Sequence, residues 1–218
     1  MQTLYIIPGA CAFGSMVALE WLHKPYQIGL TTPEIRKTPE FLAINPLGKV
    51  GALKDGDTLV YENLAILMYL VDKNPDSEIA IPVNSTSRIE AYKWLSYFSS
   101  TLHVAFSPLF YPERFVSENM IDDFKQKMLI RLRDVLAYVD SYLGKNKYFV
   151  GSKLSIVDAQ GYGILRWSER AGLLNDYQNI ANFIARMNEI PAVKNAQNIE
   201  IQKTDNLVNS SFVGYHKF

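Results

Sequence analysis

The hydrophobic pattern divides the chain into two parts of different character. In the first part, short runs rich in β-forming residues alternate with stretches whose apolar residues recur at helical spacing. The predicted elements, in chain order, are a strand at 3–7, a helix at 15–24, a strand at 26–30, a short helix within 38–46, a hairpin over 49–61 and a helix at 63–73. This order predicts an α/β domain.

The second part of the chain is predicted to be entirely helical. Apolar residues recur every three or four positions through it, and Ser155 with Asp158 predicts a capping box at one helix start. Turn-forming residues and prolines without periodicity join the two parts. The predicted organisation is a thioredoxin-like α/β domain with a mixed four-stranded sheet at 1–76, a linker at 77–87, an all-α domain at 88–201 and an extended C-terminal tail at 202–218.

Composition narrows the class of protein. The 218 residues are 48% hydrophobic and 20% charged, which is typical of a globular chain. The 22 lysines and arginines equal the 22 aspartates and glutamates, so no nucleic-acid or membrane partner is expected. A single cysteine cannot form an internal disulfide, which favours the reducing cytoplasm. With only three widely spaced histidines beside it, no metal site is expected.

The single cysteine, Cys11, lies where a predicted strand gives way to a predicted helix, in "YIIPGACAFG" (5–14). A thiol at a helix N-terminus is close to unpaired N–H groups and to the positive end of the helix dipole, which favour the reactive thiolate. Cys11 is therefore a candidate reactive thiol with a pKa below about 8.5. A small buried hydrophobic residue is an equally good interpretation. Without a second cysteine, any disulfide chemistry needs a thiol from outside the chain.

Two other polar groups are candidates for ligand binding. Asn63 opens a predicted helix directly after Glu62, and a helix start beside an acid suits the α-amino-acid end of a small peptide. An ordinary N-cap is the alternative. Ser96, Ser100 and His103, with Ser99 alongside, share one face of a predicted helix, where they either line a polar cleft or pack against another helix.

Five fragments, in order and spacing, make the chain similar to the cytosolic glutathione transferases, particularly the bacterial beta class. They are "LYIIPGACAFG" (4–14), "FLAINPLGKVGAL" (41–53), "YENLAILMYL" (61–70), "STLHVAFSPLF" (100–110) and "GSKLSIVDA" (151–159). The resemblance covers nearly the whole chain to about residue 200. It implies the glutathione transferase fold, in which the first domain binds glutathione and the helical domain holds a hydrophobic co-substrate.

The resemblance also implies which residues form the site. Cys11 matches the cysteine that contacts the glutathione sulfur, and His103 is the second expected catalytic residue. The residues expected to bind glutathione are Ala10, Val50, Gly51, Glu62, Asn63 and Ser100. In this set, Glu62 matches the acidic residue that the family places at the γ-glutamyl end of glutathione. Val50 matches the residue whose backbone pairs with the cysteinyl unit of glutathione.

Four positions depart from the family pattern, namely Gly51, Asn63, Thr101 and Val104, and two of them bear on the affinity for glutathione. Gly51 stands where "NPxGxVPxL" has a cis-proline, which leaves open whether the Val50–Gly51 bond is cis or trans. Val104 stands where a basic residue often helps to bind the tripeptide. Weak glutathione binding is expected for these reasons.

The function expected from the resemblance is conjugation of reduced glutathione to a hydrophobic electrophile. The protein would be a cytoplasmic homodimer that serves detoxification, with glutathione as co-substrate and no permanently bound cofactor. Two alternatives stay open. One is a glutathione-dependent thiol–disulfide exchanger that uses Cys11, and the other is a non-catalytic binding or scaffold protein of the same fold.

Overall fold

The first part of the chain folds around a four-stranded sheet in the computed structural model, which describes residues 1–209, with side chains through residue 203. Its strands and helices are β1 (Gln2–Ile6), α1 (Phe13–Trp21), β2 (Tyr26–Leu30), α2 (Pro39–Leu42), β3 (Ala52–Asp55), β4 (Thr58–Tyr61) and α3 (Asn63–Lys73). The strand order is β2-β1-β3-β4. β1 pairs parallel with β2 and antiparallel with β3, and β3 pairs antiparallel with β4. The predicted mixed sheet is confirmed.

Local sequence explains how several of these elements begin and turn. Thr38 caps α2, because its hydroxyl accepts from the backbone N–H of Phe41 at 3.3 Å, and Pro39 occupies the first helical turn. Gly56, with a φ of 61°, provides the left-handed turn between β3 and β4. The helix α1 is the crossover that the parallel pairing of β1 with β2 requires.

The second part is helical, as predicted. Its elements are α4 (Thr86–Tyr97), a π-helical turn (Phe98–Leu102), α5 (His103–Phe110), α6 (Ile121–Leu143), α7 (Ile156–Leu165), α8 (Trp167–Arg170), α9 (Gln178–Asn188) and α10 (Pro191–Asn209). Residues 74–85, which include part of the predicted linker, contain neither helix nor strand. Among the described residues, no helix is long and apolar enough to span a membrane.

The C-terminal end differs from the sequence prediction. Pro191, which was expected only to stop a helix, occupies the first position of α10, where its missing N–H costs no helical hydrogen bond. The helix α10 continues to Asn209, so the predicted extended conformation is wrong for 202–209. The rest of the predicted tail, 210–218, lies outside the described residues.

The two parts of the chain pack closely where α1 meets α7. A Cβ atom added at Gly14 of α1 would lie 2.5 Å from Oε1 and 2.7 Å from Cα of Gln160 on α7. A Cβ atom at Gly163 would lie 2.9 Å from the backbone nitrogen of Gly14. Glycine at both positions therefore lets the two backbones approach, and this contact places the loop before α1 beside the helical part.

The predicted capping box at the start of α7 is confirmed. The side chain of Asp158 is fully buried and accepts from the backbone N–H groups of Phe149 at 3.0 Å and Ser155 at 2.9 Å. The Ser155 hydroxyl in turn accepts from the backbone N–H of Val157. Burial raises the pKa of Asp158 to about 6, although these hydrogen bonds favour the carboxylate. The motif stabilises the fold and lies outside the site.

Candidate active site

One cleft of about 730 Å³ lies between the sheet and the helical part of the chain. It brings together seven of the eight residues that the sequence singled out: Ala10, Cys11, Val50, Gly51, Glu62, Asn63 and His103. The eighth, Ser100, does not line it. Loops at the ends of the strands and the start of α3 form one wall of the cleft, which we call the loop wall. The helices α5, α7 and α8, the π-helical turn before α5 and the segment after α5 form the opposite wall, which we call the helical wall.

The loop between β1 and α1 carries Cys11 into the cleft. It turns at Gly9, whose φ of 76° suits glycine, and the backbone N–H of Ala10 donates to the carbonyl of Ile7 at 3.1 Å. Cys11 is partly exposed, and its thiol donates to the carbonyl oxygen of Val50 at 3.8 Å. The Val50–Gly51 bond, for which the sequence allowed both isomers, is cis.

The pKa of Cys11 is raised above its ordinary value, so the predicted lowering is wrong. Burial of the thiol is the largest cause, and the charge of Glu62 acts in the same direction. Hydrogen bonds with the Asn63 side chain and the backbone lower the pKa but do not outweigh burial. The helix start contributes less than expected because α1 begins at Phe13, with Ala12 as N-cap, so that Cys11 precedes the first turn. The group is a neutral thiol at pH 7.

The start of α3 forms the second feature of the loop wall. Glu62 is the N-cap residue, with a φ of 73°, and its exposed side chain faces the cleft. Asn63 is 8% exposed, and its Oδ1 accepts from the hydroxyl of Ser15 at 3.2 Å. The first N–H groups of the helix have no helical acceptor. The arrangement therefore places anion-binding N–H groups beside a carboxylate that can bind a cation.

The Cys11 loop is held from the helical part by contacts that the sequence did not reveal. Glu200 of α10 accepts from the backbone N–H of Gly9 at 2.7 Å and pairs with both terminal nitrogens of Arg166 at 2.6 and 3.0 Å. The indole N–H of Trp167 donates to the carbonyl oxygen of Gly9 at 3.0 Å. Both backbone groups of Gly9 are thus fixed by side chains more than 150 positions away along the chain. No local signal in the sequence predicts these pairs.

The helical wall differs from the predicted polar face. Between α4 and α5, residues 98–102 form a π-helical turn, which holds more residues than an α-helical turn and shifts the side chains that follow. Ser99, His103 and Ser107 line the cleft as a result. Ser100 is exposed instead, and its hydroxyl donates to the carbonyl of Ser96 at 2.8 Å. The structure therefore places Ser99 where the prediction placed Ser100.

His103 is the titratable group of the helical wall that lies deepest. Its ring packs 5.4 Å from the ring of Trp167, and burial lowers its pKa. A lowered pKa means that the imidazole is neutral at pH 7 and able to accept a proton. The cleft thus contains a neutral thiol on one wall and a neutral imidazole on the other.

Comparisons with known proteins agree with this geometry. Residues 2–72 match the family model of the glutathione S-transferase N-terminal domain, and residues 100–197 match that of the C-terminal domain. The chain is 34% identical over 202 residues to glutathione S-transferase GstA of Escherichia coli O157:H7. The alignment covers 90% of this chain and 98% of that protein. The chain belongs to the glutathione S-transferase family.

Solved glutathione S-transferases have the same fold. A beta-class glutathione S-transferase of Sphingomonas chungbukensis superposes with a TM-score of 0.82 at 30% identity, covering 91% of this chain and 98% of that one. A sphingomonad glutathione S-transferase complexed with glutathione superposes with a TM-score of 0.81 at 30% identity and the same coverage. These findings confirm the family, the fold and the enzyme class predicted from the sequence.

Sequence reasoning on this glutathione S-transferase missed most of the helical wall. The cleft residues it did not single out include Phe110, Tyr111, Arg114, Gln160, Trp167 and Arg170. Aromatic and aliphatic side chains at helical spacing indicate a core as readily as a pocket, so no pattern marked them. Gln160 has a distinct character, because it is 1% exposed and its Oε1 has no hydrogen-bond partner among the residues that the structure describes.

Proposed function

We propose that the protein conjugates the thiol of reduced glutathione to a hydrophobic electrophile. One observation carries the proposal. A single cleft joins the Cys11 thiol and the start of α3, on the loop wall, to the aromatic residues Phe110 and Trp167 on the helical wall. A small charged peptide suits the first wall, and an apolar reactant suits the second. Binding both in one cleft converts a bimolecular reaction into one between neighbours.

The loop wall offers a partner for each end of the γ-glutamyl unit. Its carboxylate would lie at the free N–H groups of the first turn of α3, and its ammonium group would pair with Glu62. The backbone at Val50 and Gly51, which lies next to Cys11, would pair with the cysteinyl unit. The sphingomonad relative is complexed with glutathione, which supports the same ligand here.

The raised pKa of Cys11 assigns it a role as hydrogen-bond donor. A neutral thiol can donate its S–H to the glutathione thiolate and so stabilise that anion. In the reaction, the proton of the glutathione thiol passes to the neutral imidazole of His103. The glutathione sulfur then forms a bond to the electrophilic carbon, and the leaving group departs with its electron pair. The same raised pKa disfavours the thiol–disulfide exchanger, since exchange needs a cysteine thiolate.

Assembly and location belong to the same proposal. We propose a homodimer, in line with the family resemblance and with the exposed apolar side chains of Ile89 and Tyr92 on α4, which are 66% and 46% exposed. Light scattering during size-exclusion chromatography tests it. The single cysteine favours the cytoplasm, where detoxification by glutathione conjugation would take place.

Titration calorimetry with reduced glutathione, followed by conjugation of 1-chloro-2,4-dinitrobenzene, tests the proposed activity. We expect binding and measurable turnover. Cys11→Ala should keep turnover at a reduced rate, because it removes one hydrogen-bond donor and not the nucleophile. No heat of binding at millimolar glutathione would contradict the proposal and favour the non-catalytic protein. Loss of disulfide reduction alone in Cys11→Ala, with conjugation unchanged, would favour the exchanger.

A further inference from the structure

One polar side chain of the helical wall lacks a hydrogen-bond partner among the described residues. Gln160 of α7 lines the cleft and is 1% exposed. Its Oε1 is buried and unbonded, and its Nε2 has no acceptor in the part of the chain that the structure describes. An unpaired buried amide destabilises a protein, because its lost bonds to water are not replaced. Such a group in the wall of a cleft indicates a ligand that supplies the missing partner.

The contact of Gln160 with α1 determines which end of the amide faces the cleft. A Cβ atom at Gly14 would lie 2.5 Å from Oε1, so the oxygen packs against the Cα of Gly14. A Cα–H group makes a weak hydrogen bond to an oxygen, whereas an N–H group gains nothing from it. The buried end of the amide is therefore the oxygen, and Nε2 is the end that faces the cleft as a donor.

The place of this donor relates it to the reacting groups. Gly14 follows Cys11 by three residues, so the Gln160 amide lies beside the first turn of α1, and Cys11 lines the same cleft. Ile164 and Trp167 follow Gln160 by four and seven residues and also line the cleft, so the other positions of this face are apolar. The face thus presents one buried donor within an apolar surface. A buried donor acts more strongly than an exposed one, because water does not compete with it.

We propose that Gln160 is a catalytic residue that donates a hydrogen bond to the carbonyl oxygen of the electrophile, and that the electrophile is an α,β-unsaturated carbonyl compound. The inference rests on the proposed glutathione conjugation and names its second substrate. A neutral carbonyl oxygen suits a neutral buried donor, and an apolar carbon frame suits the rest of the face. An electrophile without an acceptor leaves the amide unpaired.

The proton transfer assigned to His103 fits an addition reaction. The glutathione sulfur forms a bond to the β-carbon, the electron pair of the C=C bond moves to the carbonyl oxygen, and Gln160 stabilises the enolate that forms. The imidazolium of His103 then gives the proton that it took from the thiol to the α-carbon. No group leaves, and His103 returns to the neutral form that burial favours.

Two electrophiles that each contain one phenyl ring test the assignment. trans-4-Phenylbut-3-en-2-one reacts by addition and has a carbonyl oxygen, whereas benzyl chloride reacts by displacement of chloride and has no oxygen. Gln160→Met keeps the length of the side chain and removes the donor. We expect it to lower kcat/KM for the enone about a hundredfold, the effect of losing one donor to a developing oxyanion. For benzyl chloride we expect a change of less than about threefold, because the volume of the side chain is kept.

Stability separates this role from a structural one. Gln160→Met removes an unpaired buried amide and should raise the melting temperature. Gln197→Met is the matched control, since Nε2 of Gln197 donates to Tyr162 at 2.7 Å and to Asn188 at 3.0 Å, outside the cleft lining. It should lower the melting temperature and leave the ratio of the two kcat/KM values unchanged. A lower melting temperature for Gln160→Met would assign the amide to the fold and contradict the inference.

An infrared measurement tests the hydrogen bond without any conjugation. The saturated ketone 4-phenylbutan-2-one, labelled with carbon-13 at its carbonyl, has no C=C bond to which glutathione can add. When it is bound to the wild-type protein, its carbonyl stretch should lie at a lower wavenumber than when it is bound to Gln160→Met, because a hydrogen bond polarises the C=O bond. Gln197→Met should give the wild-type wavenumber.

Three further results would overturn the inference. The first is an equal loss of kcat/KM for both electrophiles in Gln160→Met, which would mean that the amide only shapes the wall. The second is a carbonyl stretch that is the same in the wild type and in Gln160→Met. The third is a raised KM for glutathione with either electrophile, which would assign Gln160 to the tripeptide. A shifted carbonyl stretch without any conjugation would contradict the proposed function and leave the hydrogen bond from Gln160 supported.

Discussion

The two walls of the cleft are built in different ways. The loop wall is held by its backbone, since Gly9 is fixed through both its N–H and its carbonyl, and Gly51 has no room for a side chain. The helical wall is made of side chains on helices, and its rings and guanidinium groups lie at the cleft surface. The loop wall, which depends on the position of its backbone, therefore tolerates few substitutions. On the helical wall, each substitution changes the surface that the ligand contacts.

This difference matches the two proposed ligands. Glutathione is one constant molecule, and a rigid backbone suits it because less entropy is lost in ordering the site. The electrophile is the variable partner, and side chains on a stable helical scaffold allow its class to change without loss of the fold. Four predictions test the contrast, in order of decreasing expected effect.

Removal of the Glu200 carboxylate should have the largest effect on the loop wall. Glu200→Ala leaves the N–H of Gly9 without its acceptor and removes the carboxylate that pairs with Arg166, in a pair whose side chains are only 12% and 17% exposed. We expect a loss of about 3 kcal/mol in the free energy of unfolding, as for a broken buried pair. The KM for glutathione should rise because the Cys11 loop is freed. Chemical denaturation and steady-state kinetics measure the two effects.

Glu189→Ala is the matched control for that prediction. It breaks the pair with Lys194, whose side chains are 79% and 51% exposed, and should cost less than about 1 kcal/mol with no change in KM. If Glu200→Ala also left the KM for glutathione unchanged, α10 would not control the loop.

A side chain at position 51 should have the next largest effect. A Cβ atom there would lie 2.9 Å from Oδ1 of Asn63 and 3.1 Å from Cβ of Ala12. Gly51→Ala should therefore destabilise the protein by about 1–3 kcal/mol and weaken glutathione binding, because Asn63 must move. Calorimetric titration and thermal unfolding measure both.

Gly56→Ala separates the two consequences of that change. Its Cβ atom would meet nothing within 4 Å, but its φ of 61° disfavours alanine. We expect a loss of about 1 kcal/mol with unchanged glutathione affinity. Equal affinities for wild type and Gly51→Ala would show that the loop wall is less rigid than its contacts indicate.

The Cys11 thiol should titrate above its ordinary pKa. Burial favours the neutral form, so the rate of alkylation by iodoacetamide should keep rising with pH beyond the pKa of an unperturbed cysteine. At pH 7 the rate should be below that of a free cysteine. A midpoint near pH 7 would restore the reactive thiolate that the sequence favoured, and with it the exchanger.

The smallest effect is expected on the helical wall, between neighbouring serines. Ser99 lines the cleft, whereas Ser100 is exposed and donates to the carbonyl of Ser96. Ser99→Ala should change the KM of a substrate a few-fold, as for one lost hydrogen bond of about 1 kcal/mol, and Ser100→Ala should change it less. A larger effect of Ser100→Ala than of Ser99→Ala on KM would mean that the π-helical turn does not determine which serine faces the cleft.

Much of the loop wall was predictable because its signals are local. The turn at Asp55-Gly56, the apolar run after Glu62 and the strand before Cys11 each fix an element within a few residues. Once these elements form one sheet, Cys11, Val50 and Asn63 meet at its edge. The motif order of a known family then identified the fold.

The helical wall was less predictable because a face predicted from helical spacing requires one regular α-helix. The π-helical turn at 98–102 breaks that regularity, so that Ser99 lines the cleft and Ser100 does not. Arg114, Trp167 and Arg170 carry no local signal, since only the packing of α5 against α8 brings them together.

The sequence by itself determined the two-part organisation, most helices and strands, and the family, because hydrophobic periodicity and turn residues act over short distances. Only the tertiary structure decided the protonation of Cys11, since burial depends on residues from the whole fold. It also decided the contact of Glu200 with Gly9, 191 positions apart. Desolvation and long-range packing depend on what surrounds a residue in space, and no local pattern encodes that.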